Sequence, residues 1–229
     1  SAAGCLTTNR VRAACVDWTA RVLQQGFARA IVVNSGNANC CMGQRGRRDC
    51  RKMAELTARR LKIRPREVLV ASTGVIGQPL PMPKVRQGIH QAADSLSSRG
   101  SLLAADAILT TDTRPKEIAI RFRLGKKPVT VGGIAKGAGM IAPHMAPPPG
   151  LCAKGTPAHK PGGGVATLLA FLTTDAAIEG PAFYEALNAW VPITFNAVTV
   201  DGEMSTNDMV LALANGASGA PALRPDNPL

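Results

Sequence analysis

The chain has 229 residues and carries 27 Lys and Arg against 15 Asp and Glu, a formal net charge of +12. That length suits one large domain or two small ones with a sizeable core. With aromatics at 3%, the core must be built from Ala, Val, Leu, Ile and Met. Much of the positive charge lies between Arg45 and Arg66, a stripe that could meet nucleic acid or acidic metabolites. It lacks interleaved aromatics for base stacking and has no zinc-finger or helix-turn-helix pattern, so a solvated face is preferred and no nucleic-acid partner is expected. The six cysteines form no C-x-x-C pair and have no His at zinc spacing, so no metal is expected and the thiols read as reduced and structural. No signal peptide and no run of about 20 apolar residues is present. The expectation is no membrane partner and a cytoplasmic protein, or a mitochondrial or plastid matrix protein if eukaryotic; the abrupt start at Ser1 leaves room for a removed transit peptide.

In chain order, residues 1–18 read as a short strand and a turn leading into Trp18. Ala30–Val33 is an apolar run predicted as a buried strand. It ends in Asn34-Ser35-Gly36-Asn37-Ala38-Asn39, a loop composition given no catalytic role. Asp49–Leu61 has helical spacing, with Met53, Leu56 and Leu61 inward and Arg48, Arg51, Lys52 and Arg59 outward. Val68–Val70 is the next buried strand and delivers Ser72-Thr73-Gly74-Val75-Ile76-Gly77. A strand end followed by Thr-Gly can make backbone N–H groups converge as an oxyanion hole requires; a tight turn is the plain alternative. A helix follows from about Lys84 to Ser98, then strands over Asp106–Thr111, Glu117–Arg123 and Val129–Ile134. Gly137-x-Gly139-x-x-Ala142 mimics a dinucleotide fingerprint, but Pro143 stands where the helix should run. No G-K-[ST] ending supports a P-loop. What remains is a glycine-rich loop carrying Lys136, able to pair with a carboxylate as a point charge.

Ala166-Thr167-Leu168-Leu169-Ala170-Phe171 offers the sharpest chemical reading. A threonine hydroxyl is a poor nucleophile at neutral pH unless a base is adjacent. If the chain is cut between Ala166 and Thr167, the new α-amine, with an ordinary pKa of about 7.7–8.0, can serve as that base. The plain alternative is a turn entering an apolar helix through Leu172 with Thr167 as its N-cap. Pro181–Trp190 is predicted as a further helix. Ser205-Thr206-Asn207-Asp208 before Met209-Val210-Leu211 reads as a helix start, with Glu203 and Asp208 as acids near its N-terminus. His144 and His159 read as loop residues.

The threonine segment resembles the self-cleavage segment of the ornithine acetyltransferase (glutamate N-acetyltransferase) family. Thr7–Ala14, Val32–Asn39, Val70–Gly77, Thr110–Lys116, Gly132–Pro143 and Val200–Asp208 resemble that family too, in the same order. The resemblance implies an α/β fold, an α-β-β-α sandwich of N-terminal-nucleophile type. It implies acetyl transfer from N2-acetylornithine to glutamate through an acetyl-threonine intermediate. Thr167 would be the nucleophile and, with Ala166, the cleavage site, and Thr73 and Gly74 would stabilise the oxyanion. Lys136 would bind substrate with a threonine of the 110–111 pair; neighbours on a strand point opposite ways, and Thr111 is preferred. No cofactor is implied, although acetyl-coenzyme A is an acetyl donor for some members. Cleaved chains would assemble as an α2β2 heterotetramer.

Two departures qualify the resemblance. In the family the nucleophile directly follows the equivalent of Ala146; here Thr167 comes 20 residues later, after a Pro- and Gly-rich interruption over residues 147–166. Glycines upstream of the scissile carbonyl are expected to slow or abolish cleavage, since such geometry is sensitive to about 1 Å. Family members also begin with an earlier strand and continue well past Leu229, so the fold is expected to be incomplete, with residues 1–166 corresponding to the α chain and 167–229 to the start of the β chain. Second-half strands should then expose unpaired edges. The alternatives are an inactive or fragmentary homologue and an N-terminal-nucleophile amidohydrolase using water as acceptor.

Overall fold

The computed structural model describes residues 1–151 and 167–226. In chain order its elements are β1 (Ala2–Thr7), α1 (Ala14–Leu23), β2 (Ala30–Asn37), α2 (Gly43–Leu61), β3 (Val68–Val75), α3 (Met82–Asp94) and α4 (Ser101–Ala107). There follow β4 (Lys116–Leu124), β5 (Lys127–Lys136), β6 (Met145–Ala146), β7 (Leu169–Thr174), α5 (Gly180–Trp190) and β8 (Met209–Ala214). The class is mixed α/β, as expected.

Six strands form one sheet in the order β4-β5-β7-β8-β1-β6. β7 and β8 lie side by side in parallel, from Leu169 opposite Met209 to Thr174 opposite Ala214. Parallel neighbours need a long crossover, and the connection containing α5 supplies it. β8 and the first half of β7, Leu169–Phe171, are apolar and buried on both faces, as parallel strands inside a sheet usually are. β2 and β3 make a separate parallel pair, in register from Ala30–Val68 to Gly36–Gly74, joined through α2. α1 lies along β3: Thr19 Oγ1 donates to the Val70 carbonyl at 2.8 Å and accepts from the Val70 amide at 2.9 Å. A helix side chain thus occupies backbone groups that a further strand would otherwise take. One apolar cluster spans both sheets, from Val16, Leu69 and Val70 to Leu169, Met209 and Leu211.

Several elements differ from expectation. Residues 14–18, read as part of a strand and turn leading into Trp18, instead open α1, which runs to Leu23 with Cys15, Val16, Thr19, Val22 and Leu23 as its buried stripe. β2 continues through Asn34–Asn37 because each of these residues pairs with β3. Asp106–Thr111 is not a strand: its start belongs to α4 and its end to a loop. The segment after Thr167 is a strand rather than a helix, since β5 and β8 take its backbone on either side. Ser205–Asp208 opens β8 rather than a helix. Of the second-half strands expected to expose edges, β7 and β8 do not, because they are central in the sheet. β4 is one edge of this sheet, and there Ile118, Ile120 and Phe122 are exposed; the short β6 is the other. Of the interruption, residues 152–166 lie outside the described residues, as does the cleavage partner Ala166.

Candidate active site

The ends of β3, β5 and β7 meet the loop that enters β8, and polar side chains are buried there in unusual number. Thr7, Asn9, Thr73, Lys136, Thr167, Ser205, Asn207 and Asp208 are all 2% exposed or less. Desolvated polar groups must find partners inside the protein, and these do.

The loop is held first by the amino-terminal motif. Thr7 Oγ1 donates to the Ser205 carbonyl at 2.8 Å and Asn9 Nδ2 to the Met204 carbonyl at 3.1 Å. The Ala13 amide donates to the Thr206 carbonyl at 3.1 Å. From the other side, Asn207 Nδ2 donates to the carbonyls of Ala38 (2.8 Å) and Ser72 (2.9 Å), tying the loop to the β2–β3 pair one residue before Thr73. Asp201 holds the returning chain by accepting from the amides of Met140 and Ile141 at 2.5 and 2.9 Å. Burial opposes its charge, and these backbone bonds outweigh that, keeping its carboxyl below the usual range.

Thr167 Oγ1 and Ser205 Oγ share a hydrogen bond at 2.7 Å. The Asp208 carboxylate bridges the two sides of this contact. Oδ1 accepts from the Leu168 amide at 2.8 Å and Oδ2 from the Ser205 amide at 3.2 Å. Burial pushes the Asp208 carboxyl up to about 7, against the pull of those two amides and of Lys136.

Lys136 ends β5 opposite Leu169 of β7. Its ammonium donates to Thr110 Oγ1 at 2.9 Å and to Thr73 Oγ1 at 3.2 Å. It also lies 3.7 Å from Asp112 Oδ2, an oxygen with no hydrogen-bond partner. Burial lowers the Lys136 pKa, opposed chiefly by the charge of Asp112. Asp112 Oδ1 accepts from Lys116 Nζ at 2.5 Å and from the Gly137 amide at 2.7 Å. For Asp112 too, burial opposes ionisation, but Lys116, the Gly137 amide and the Lys136 charge together bring its pKa below the usual value.

Gly74 pairs with Gly36 across the parallel ladder at φ 125°. A Cβ on it would fall 2.2 Å from the Gly36 carbonyl carbon, so the two backbones meet where no side chain fits. Gly137 at φ 152° sits against Thr167: its hypothetical Cβ lies 3.5 Å from the Thr167 carbonyl oxygen.

The structure therefore brings Thr73, Gly74, Lys136 and Thr167 into one polar region. Thr111 is exposed, and Thr110 is the member of that pair that reaches Lys136. The pair stands on a loop, so strand alternation does not govern which hydroxyl turns inward. Ser205 and Asp208 were missed as site residues. Their signal was a Ser-Thr-Asn-Asp run before six apolar residues, which fits the mouth of a buried strand as well as a helix start. His144 is exposed and its carbonyl accepts from Thr8 Oγ1 at 2.7 Å; His159 lies outside the described residues. Among the described residues no group of three or more His, Cys, Asp or Glu could hold a metal ion, and no helix is long and apolar enough to cross a membrane.

The mixed α/β architecture is shared with solved proteins. ArgJ of Bacillus halodurans superposes with a TM-score of 0.58 at 41% identity, covering 64% of this chain and 75% of that one. Ornithine acetyltransferase of Mycobacterium tuberculosis, solved in complex with ornithine, gives 0.60 at 43% identity, covering 63% and 77%. The chain belongs to the ArgJ family, which it matches over residues 1–227. It is 49% identical over 225 residues to the arginine biosynthesis bifunctional protein ArgJ of Symbiobacterium thermophilum, covering 98% of this chain and 51% of that protein. It is 46% identical over 229 residues to the ArgJ protein of a Synechococcus species, covering 100% and 50%. The chain spans about half the length of these curated relatives.

Proposed function

We propose that this chain carries the nucleophile of an acetyl transfer from N2-acetylornithine to glutamate. Residues 1–166 would correspond to one product of self-cleavage and 167–229 to the start of the other. The observation that supports the reading best is the buried 2.7 Å hydrogen bond between Thr167 and Ser205, beside Asp208 and close to the Lys136–Thr73 pair. Cleavage between Ala166 and Thr167 would free the α-amine as the base. Thr167 Oγ then attacks the acetyl carbonyl and gives its proton to that amine. The backbone N–H groups of Thr73 and Gly74 would meet the oxyanion. Ornithine leaves as the amine, taking the proton, and an ester remains on Thr167. The glutamate amine attacks this ester, regenerating the hydroxyl and releasing N-acetylglutamate.

In this scheme Lys136 fixes the Thr73 hydroxyl and supplies positive potential in a water-poor region, where charge acts more strongly than in solvent. Thr110 holds the ammonium in place. Ser205 sets the rotamer of Thr167, and Asp208 sets the backbone on both sides of their contact. The M. tuberculosis relative solved with ornithine agrees with an amino-acid substrate. Cleaved chains would assemble as an α2β2 heterotetramer working in the cytoplasm.

Acetylornithine is supplied with and without glutamate, and free ornithine, acetate and N-acetylglutamate are followed. Glutamate-dependent N-acetylglutamate, absent in Thr167→Ala, is the expected result. Acetate release independent of glutamate would replace the transferase reading with an amidohydrolase. No turnover, together with an uncut chain by intact mass, would mark an inert homologue.

A further inference from the structure

Away from the candidate active site, a cavity of about 600 Å³ opens between α1, the first half of α2 and residues 64–66. Arg21, Arg47, Arg48, Arg51, Arg64 and Arg66 line it, against the single acid Glu55. Arg51 is bound to Glu55 at 2.9 Å and Arg64 to Glu67 at 2.6 Å. Arg21, Arg47, Arg48 and Arg66 have no acidic group within ion-pair distance among the described residues. A guanidinium cannot shed its proton, so a bound anion would relieve this crowding of like charge where it fills the cavity. The remaining wall is apolar: Ala14, Trp18, Cys50 and Pro65. Trp18 is anchored there, its indole N–H donating to the Val68 carbonyl at 2.9 Å.

The cavity lies at the end of β3 opposite to Thr73. From Val68 to Thr73 the strand advances roughly 16 Å, at about 3.3 Å per residue, and no lining residue belongs to the catalytic region. A planar guanidinium presents paired donors that match phosphate oxygens. The volume falls within the ordinary range for small-molecule sites, about 300–1,000 Å³. With one aromatic in its wall, the site is a compact pocket rather than a track along which successive bases could stack. We propose that this arginine-lined cavity binds an oligophosphate anion, either free or attached to a nucleoside.

The test is calorimetric titration of the purified chain at low salt with tripolyphosphate, ATP, orthophosphate and single-stranded oligonucleotides of increasing length. Saturable one-to-one binding of tripolyphosphate or ATP, about tenfold or more tighter than orthophosphate, is expected. Raising the salt should weaken it steeply. Equal affinity for the two would mark a free oligophosphate as the ligand, and tighter binding of ATP a nucleotide. Arg48→Ala and Arg66→Ala, two exposed positions on different elements, should each weaken binding about tenfold with the thermal midpoint unchanged. The proposal is overturned if neither oligophosphate saturates, if both variants bind like the parent, or if oligonucleotide affinity rises with length beyond that of tripolyphosphate.

Discussion

β3 ends in two different surroundings. At its carboxyl end, Ser72, Thr73 and Gly74 enter a region where hydroxyls, a lysine and two aspartates are shut away from water and bonded to one another. At its amino end, Arg64 and Arg66 face a cavity whose charges look outward and are largely unpaired. In the first, the polar groups are held by their neighbours, and burial raises the Asp208 carboxyl to about 7 and lowers the Lys136 pKa. In the second, solvent and salt screen the charges, so single losses there should cost little in the folded state and matter only when an anion is bound. The same strand thus joins a preorganised region to a charged surface, and substitutions at the two ends should behave differently.

The largest effect should come from Gly74→Ala. The added Cβ would meet the Gly36 backbone at 2.2 Å, and the residue holds φ 125°, so the β2–β3 ladder must part. A loss of about 3 kcal/mol or more is expected in denaturant unfolding; a midpoint within error of the parent would refute the close packing. Asn207→Ala should follow closely. It leaves the Ala38 and Ser72 carbonyls without their donor, at about 1–3 kcal/mol for each buried group left unpaired.

Asp208 gives the contrast in pH. Its carboxyl is raised from 3.8 to about 7, so between those values the folded chain keeps a proton that the unfolded chain has lost. The stability this proton contributes is complete below about 3.8 and disappears as pH rises through about 7. Asp208→Asn does not titrate. Relative to the parent, its unfolding free energy should therefore improve by a few kcal/mol between about pH 4 and pH 8. Parallel pH profiles for the two proteins would contradict the buried, proton-holding carboxyl. At the opposite end of β3, Arg48→Ala should change stability by no more than about 0.5 kcal/mol without ligand. A loss comparable to that of Asn207→Ala would erase the distinction between the two ends.

Much of this contrast was legible in the residues. The apolar runs Ala30–Val33 and Val68–Val70 named β2 and β3, and the outward arginines of α2 named a charged face. Resemblance brought Thr73, Lys136 and Thr167 forward as a group. What could not be read was the state of short apolar runs. Leu168–Leu172 is as apolar as a helix stripe, and only pairing with β5 and β8 makes it a strand. Asp208 has the local signature of a helix-start acid, and its burial follows from a strand order that no local pattern encodes. The choice between Thr110 and Thr111 depended on a loop turn after α4. The Thr7–Asn9 motif likewise gave no hint that it serves to hold the Ser205 loop nearly 200 residues away.

The central proposal is that the Thr167 hydroxyl, hydrogen-bonded to Ser205, takes the acetyl group. It is tested most directly by acid-quenching the protein after exposure to N2-acetylornithine without glutamate, then mapping its peptides by mass spectrometry. The account predicts a peptide beginning at Thr167 that carries one acetyl group on that residue, lost when glutamate is added and absent in Thr167→Ala. An unmodified Thr167 within an uncut Ala166–Thr167 peptide, or an acetyl group found on another residue, would contradict it.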